Sequence, residues 1–169
     1  SPLTGTIHDS HSGGDFGPYM KFAGVDGVIF EEASKKPVYL WICDDEVELR
    51  DATHLWGLNV NETDEAIKRD HNEPDARVAC IGPAGENLIR FAMISGDGGH
   101  VVAHNGMGAV MGSKKLKAIV VARGNAEFLV KDKAAVERLT RELHEDAKTE
   151  GSKRIYEWGT GGGVSGAAL

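Results

Sequence analysis

Apolar positions along the chain fall into two rhythms, and each predicts a different kind of element. Short runs rich in β-branched and aromatic residues predict strands at 25–30 (VDGVIF), 38–43 (VYLWIC), 47–49, 75–82 (DARVACIG) and 116–122 (LKAIVVA). The first two, joined by the charged link EEASKKP, predict a β-pair, and the turn at Asp44-Asp45 adds a third strand in a meander rather than a βαβ unit. Residues 86–95 (ENLIRFAMIS) fit neither period, and their shortness between two turns favours a strand. Residues 100–104 (HVVAH) predict another extended segment.

Helical signals are shorter until the end of the chain. PYMKFA at 18–23 can supply one turn, DATHL at 51–55 opens like a cap, and 61–70 (NETDEAIKRD) places acids in its first turn and bases in its last, which complements the helix dipole. A short helix is predicted over 108–114. Residues 131–150 carry Ala135, Val136, Leu139, Leu143 and Ala147 on one stripe, and 152–158 form a second short helix ending at Gly159. Strands with short helices followed by terminal helices define an α+β class, with antiparallel or mixed sheets.

Composition changes this picture mainly through glycine. Of 169 residues, 22 are Gly, and they cluster instead of repeating. Six lie between Gly96 and Gly112, ahead of Lys114, Lys115 and Lys117 and an apolar strand. Such a stretch can approach an anion through bare backbone, or form a glycine-rich hairpin beside a solvated lysine face. A second pliable polar stretch, Asp9-Ser10-His11-Ser12 before Gly13-Gly14, is either a ligand cradle or a turn capping the next helix.

The net charge of -7 argues against a nucleic-acid partner. No apolar run approaches the roughly 18 residues of a membrane span, and no basic-then-apolar leader opens the chain, so a cytoplasmic protein is expected. Cys43 and Cys80 sit in separate strand-like runs and are expected as free thiols. The absence of an initiator Met and the closing glycine-rich run predict a piece of a longer protein.

Two nucleotide motifs fail on spacing. A P-loop needs Lys directly after its last glycine and another glycine five positions earlier, where this chain has Ser113 and Met107. Gly106, Gly108 and Gly112 are spaced GxGxxxG, with too short a helix for a dinucleotide-binding crossover. His100 and His104 are separated by Val101, Val102 and Ala103, so the Glu of a zinc-binding HExxH is missing. No catalytic nucleophile or acid-base pair is defensible from spacing, and the residues alone leave an anion-binding module open, including one for a nucleotide or another phosphate compound.

Several stretches together resemble the N-terminal domain of the aldehyde:ferredoxin oxidoreductase family of tungsten (sometimes molybdenum) bis-pterin enzymes. They are SPLTGTIHDSHSGGDFGPYMKFAGVDGVIF, KPVYLW, ELRDATHLWG, VACIGPAGENLIRFAMI and GAVMGSKKLKAIVVARG, in family order across nearly the whole chain. The resemblance implies that residues 1–125 form the base for a bis-pterin cofactor. It also implies that 126–169 form a helical segment leading towards substrate and iron-sulfur domains elsewhere. The family pattern DSNxGG falls on residues 9–14 and implies pterin contacts at His11 and Gly13. The pattern RAAGRGGLGAVMGSK falls on 100–114 and implies contacts at His100, Val101 and Ala103. Backbone carbonyls of His11 and Val101 would hold a magnesium ion bridging the pterin phosphates.

This sequence departs from the pattern at His11 (family Asn), His100 and His104 (family Arg) and Asn105 (family Gly). A neutral imidazole has one donor where a guanidinium has five and a fixed charge, so backbone contacts transfer and guanidinium contacts do not. The substitutions resemble the tungsten subunits of class II benzoyl-CoA reductases, which act on an aromatic acyl-CoA instead of an aldehyde. The resemblance further implies a 4Fe-4S cluster outside this stretch, electron exchange with ferredoxin or another electron-transfer subunit, and a homo-oligomer or complex subunit. It places no catalytic residue in the chain itself, which is expected to be inactive alone.

Overall fold

The computed structural model describes residues 1–127 and 129–163. Six strands, β1 (Val38–Cys43), β2 (Glu46–Asp51), β3 (Arg77–Cys80), β4 (Ile94–Gly96), β5 (His100–Val102) and β6 (Leu116–Val121), form one sheet in the order β2-β1-β6-β3-β4-β5. The helices are α1 (Phe16–Phe22), α2 (Val60–His71), α3 (Pro83–Glu86), α4 (Met107–Ser113), α5 (Lys133–Ala147) and α6 (Lys153–Trp158). The α+β class expected from the sequence is the observed one. β6 pairs parallel to β1 and antiparallel to β3, so the sheet is mixed.

Both faces of the central strands are covered, which explains why 38–43 and 116–121 read as continuous apolar runs instead of alternating ones. Tyr39, Trp41, Val78, Cys80, Ala118 and Val120 pack with Ala66 and Ile67 of α2. On the other face Leu40, Ile42 and Val121 meet Ala23 and the α1 side chains Phe16, Tyr19 and Met20. α2 begins with a capping box: the Asn59 side chain accepts from the Glu62 N–H at 3.0 Å, and Glu62 accepts from the Asn59 N–H at 2.9 Å. It stops where Asn72 takes left-handed backbone.

Three expectations are corrected. Residues 25–30 form no strand; Val25 and Phe30 pack against the core while Ile29 is 89% exposed, so no consistent face exists to bury. β1 instead pairs with β2 and β6, and the three-strand meander is replaced by a hairpin joined to a distant parallel strand. Residues 86–95 are strand only at their end, because positive φ at Leu88 (57°) breaks the run and Phe91 is exposed. Cys43 and Cys80 are free, as expected.

The chain divides into two compact units, Ser1–Phe128 and Leu129–Leu169. The sheet belongs to the first. In the second, Asp132 caps α5 by accepting from the Ala135 N–H at 2.9 Å, and the predicted stripe of Val136, Leu139 and Leu143 is exposed. Gly159 follows α6 with positive φ, and residues 164–169 of the closing glycine-rich run lie outside the described residues. Among the described residues, no helix is long and apolar enough to cross a membrane.

Candidate functional site

Two loops singled out by the sequence, 9–14 and 100–104, meet at one edge of the sheet. β5 is the outermost strand beyond β4, so one side of its backbone N–H and C=O groups is left unpaired by the sheet. Ser10 accepts a hydrogen bond from the His104 N–H at 3.1 Å. A Cβ placed on Gly13 would lie 3.3 Å from His100 Nδ1, and one on Gly14 would lie 2.6 Å from His100 Cδ2. The His100 ring therefore packs directly on the Gly13-Gly14 backbone. Gly14 has φ of +90°, so the approach and the conformation both require glycine there.

His11, Gly13, His100, Val101 and Ala103 are all exposed. The structure thus gathers the site residues expected from the two loops onto one open edge. His11 Nε2 lies 2.8 Å from Asp9 Oδ2, and that hydrogen bond holds the Asp9 carboxyl below its ordinary pKa. Neither loop carries Lys or Arg.

The other glycines of the 96–124 stretch have a different task. A Cβ at Gly106 would sit 1.9 Å from Arg90 O, one at Gly108 2.4 Å from Met93 O, and one at Gly112 1.9 Å from Gly85 O. These glycines let the α4 backbone lie on the 85–93 segment, where the Gly108 N–H donates to Ala92 O at 2.9 Å. They pack protein against protein. The lysines are likewise committed: Lys114 Nζ donates to Glu32 O and Lys115 Nζ to Lys35 O, each at 2.7 Å. Lys117 is fully buried. Lys117 therefore leaves the expected solvated lysine face, and Lys114 and the exposed Lys115 fasten neighbouring backbone.

Two residues behind the loops were missed in the sequence. Asp97, in the β4-β5 turn, accepts through Oδ2 from the N–H groups of Asp15 (2.7 Å) and Phe16 (2.8 Å). Arg77 of β3 lies across the Tyr19 ring, 4.4 Å from its centroid, with Nη2 3.2 Å from Asp15 Oδ2 and Nε 4.0 Å from Asp97 Oδ1. The Asp97-Gly98-Gly99 run is a hairpin-turn signature, which would have placed Asp97 at the turn but not its reach across the fold.

Among the described residues, no group of three or more His, Cys, Asp or Glu side chains is placed to hold a metal ion. The polar groups on offer in the two loops are backbone groups, imidazoles, the Asp9 carboxyl and the Ser10 and Ser12 hydroxyls. They fit a cofactor held through its own polar atoms.

The α+β domain brings the glycine-bearing 9–14 loop against residues 100–104 at an open sheet edge. Residues 1–123 match the family described as "Aldehyde ferredoxin oxidoreductase, N-terminal domain". The chain belongs to this family. It is similar to a "Tungsten-containing aldehyde ferredoxin oxidoreductase" of Thermococcus kodakarensis, 51% identical over 84% of the chain and 23% of that protein. It is also similar to an "Aliphatic sulfonate oxidoreductase, WOR-like subunit" of Pyrococcus furiosus, 37% identical over 96% of the chain and 28% of that protein. Among solved structures it resembles the "Active site complex BamBC of Benzoyl Coenzyme A reductase in complex with 1,5 Dienoyl-CoA", with TM-score 0.78 and 44% identity over 82% of this chain and 21% of that one. The chain thus spans about a quarter of the length of the curated relatives it matches.

Proposed function

We propose that this chain is the cofactor-binding base of a tungsten (or molybdenum) bis-pterin oxidoreductase. The observation that carries the reading is the meeting of loops 9–14 and 100–104, held by the His104–Ser10 hydrogen bond and by the His100 ring on Gly13-Gly14. In this reading His11, Gly13, His100, Val101 and Ala103 line the platform. The carbonyls of His11 and Val101 would hold a magnesium ion, which would offset phosphate charge. The bound group supplies the redox chemistry. The chain's own contribution is to orient that group through backbone N–H donors and imidazoles, with no cationic side chain in either loop to neutralise phosphate. The 4Fe-4S cluster and the substrate pocket lie in other parts of the protein, and electrons leave to ferredoxin or another electron-transfer subunit of an oligomer or complex.

The 51% identity to an aldehyde ferredoxin oxidoreductase supports oxidation of an aldehyde to a carboxylic acid. A second reading, reduction of an aromatic acyl-CoA, is favoured by the structural likeness to the benzoyl-coenzyme A reductase complex and by the imidazoles at 11, 100 and 104. Metal and pterin analysis of the purified full-length protein tests the platform. Tungsten or molybdenum with pterin is expected, and active protein containing neither sinks the reading. Tight nucleotide binding in place of pterin would return the chain to the class of phosphate-binding modules. Assays of both reactions on the same preparation separate the two substrates: ring reduction without aldehyde oxidation replaces the first reading with the second.

A further inference from the structure

We infer that Asp97 is a positioning residue that sets the spacing of the two cofactor loops; the inference rests on the platform reading above. Asp97 occupies the turn between β4 and β5, with φ of +47°, followed by Gly98 (+69°) and Gly99 (+157°). This turn delivers His100 to the sheet edge, because Gly96 and His100 are register partners across it. The Asp97 side chain is only 7% exposed. Its Oδ2 receives the N–H groups of Asp15 and Phe16, which open α1 directly after the 9–14 loop. Asp15 makes no side-chain cap of its own, so the helix start is capped from 82 residues away.

A buried carboxylate bonded to two N–H groups is a strong and directional tie. It joins the far end of one loop to the near end of the other. Gly14 lies within the same tie, since a Cβ there would come within 2.7 Å of Asp97 Oδ2. Arg77 Nε lies 4.0 Å from Oδ1, and its Nη2 also pairs with Asp15 Oδ2 at 3.2 Å. Oδ1 has no hydrogen-bond partner among the described residues, so the arrangement accepts an unsatisfied buried oxygen to keep Oδ2 on the backbone pair. The effect of Asp97 is on the separation of the two loops.

The test uses the full-length protein, with pterin and tungsten content and amide hydrogen exchange as readings. Asp97→Ala removes both bonds and is expected to lower cofactor content about tenfold and to speed exchange at residues 15 and 16. Asp97→Asn keeps an oxygen that can accept both N–H groups and is expected to retain most of the content, which a general loss of stability would not reproduce. Folded Asp97→Ala protein with full cofactor content overturns the inference. So does Asp97→Asn protein that loses as much as Asp97→Ala. If Asp97→Ala does not accumulate, Asp97→Ser, whose hydroxyl is too short to serve both donors, is judged on the same readings. Wild-type protein lacking pterin and tungsten would overturn the platform reading instead. The tie is then judged by exchange alone, and unchanged exchange at 15 and 16 in Asp97→Ala rules it out.

Discussion

Lys117 Nζ lies 2.5 Å from Glu86 Oε1, and the two side chains are 0% and 5% exposed. The pair links central strand β6 to α3. Lys117 also donates to Leu58 O at 2.8 Å, and Glu86 accepts from the Gly57 N–H at 2.9 and 3.0 Å. The buried charges thus serve the backbone of the 57–58 connection as well as each other.

Removing one partner leaves the other charge buried and unpaired. Lys117→Ala is expected to destabilise the domain by about 3–5 kcal/mol. An isosteric apolar pair such as Lys117→Met with Glu86→Leu would often restore a buried ion pair's stability. Here it leaves the part-buried Leu58 O without its partner, so a deficit of roughly 1–3 kcal/mol is expected to remain, while the exposed Gly57 N–H can turn to water. Denaturant midpoints of the two variants and the wild type measure both steps. Equal stability of the double variant and wild type would show that the 57–58 connection does not depend on the pair.

His71 gives the domain a pH dependence. Arg50 Nη1, which can only donate, lies 3.0 Å from His71 Nδ1, so Nδ1 carries the lone pair and Nε2–H donates to Tyr39 Oη at 2.8 Å. The ring stacks on Trp41 with centroids 3.6 Å apart. Burial first, then the Arg50 charge, lowers the His71 pKa below its ordinary value, against the opposing pull of Asp70, Glu46 and Glu73. The folded state therefore resists a proton that the unfolded chain takes up near its ordinary pKa of about 6.5. This contribution is fully present above that pH and is lost as pH falls from there towards the folded-state value. His71→Phe keeps an aromatic ring beside Trp41 and removes the titration. Unfolding midpoints measured between about pH 5 and 8 should fall more steeply with acid in wild type than in this variant. Parallel curves would mean that His71 titrates alike in both states.

The central strands, α2 and the short α4 were legible, because each signal is local: composition for β1 and β6, and acids before bases along 61–70 for α2. What sequence could not supply was which of two physical demands each glycine or lysine answered. Gly14 and Gly112 look alike in the sequence. One faces a histidine ring 86 residues along the chain and the other a carbonyl 27 residues back. Lys117 resembled Lys114 and Lys115, yet it falls at the register irregularity of β6, fully buried, where the distant Glu86 makes burial tolerable. The loops of the candidate site were found through motif resemblance. Their brace, Asp97 and Arg77, belongs to no motif and depends on contacts spanning 62 to 82 residues.

The contact between Gly14 and His100 makes a demand on the proposed platform that can be separated from backbone strain. Gly14→Ala would force an L side chain into φ of +90° and drive its Cβ to 2.6 Å from His100 Cδ2. Strain of about 1–3 kcal/mol is expected from the backbone alone. The collision adds to it and must push the β4-β5 turn away from the 9–14 loop. Pterin content of the full-length protein should fall by roughly tenfold or more. Gly5→Ala is the control, since Gly5 has φ of +73° with nothing within 4 Å of the added Cβ, and its strain should leave content unchanged. Adding His100→Ala to Gly14→Ala removes the ring but not the approach to Asp97 at 2.7 Å, so recovery should be partial. Undiminished pterin in Gly14→Ala would mean that the two loops bind independently, and the platform would have to be redrawn around the β5 edge alone.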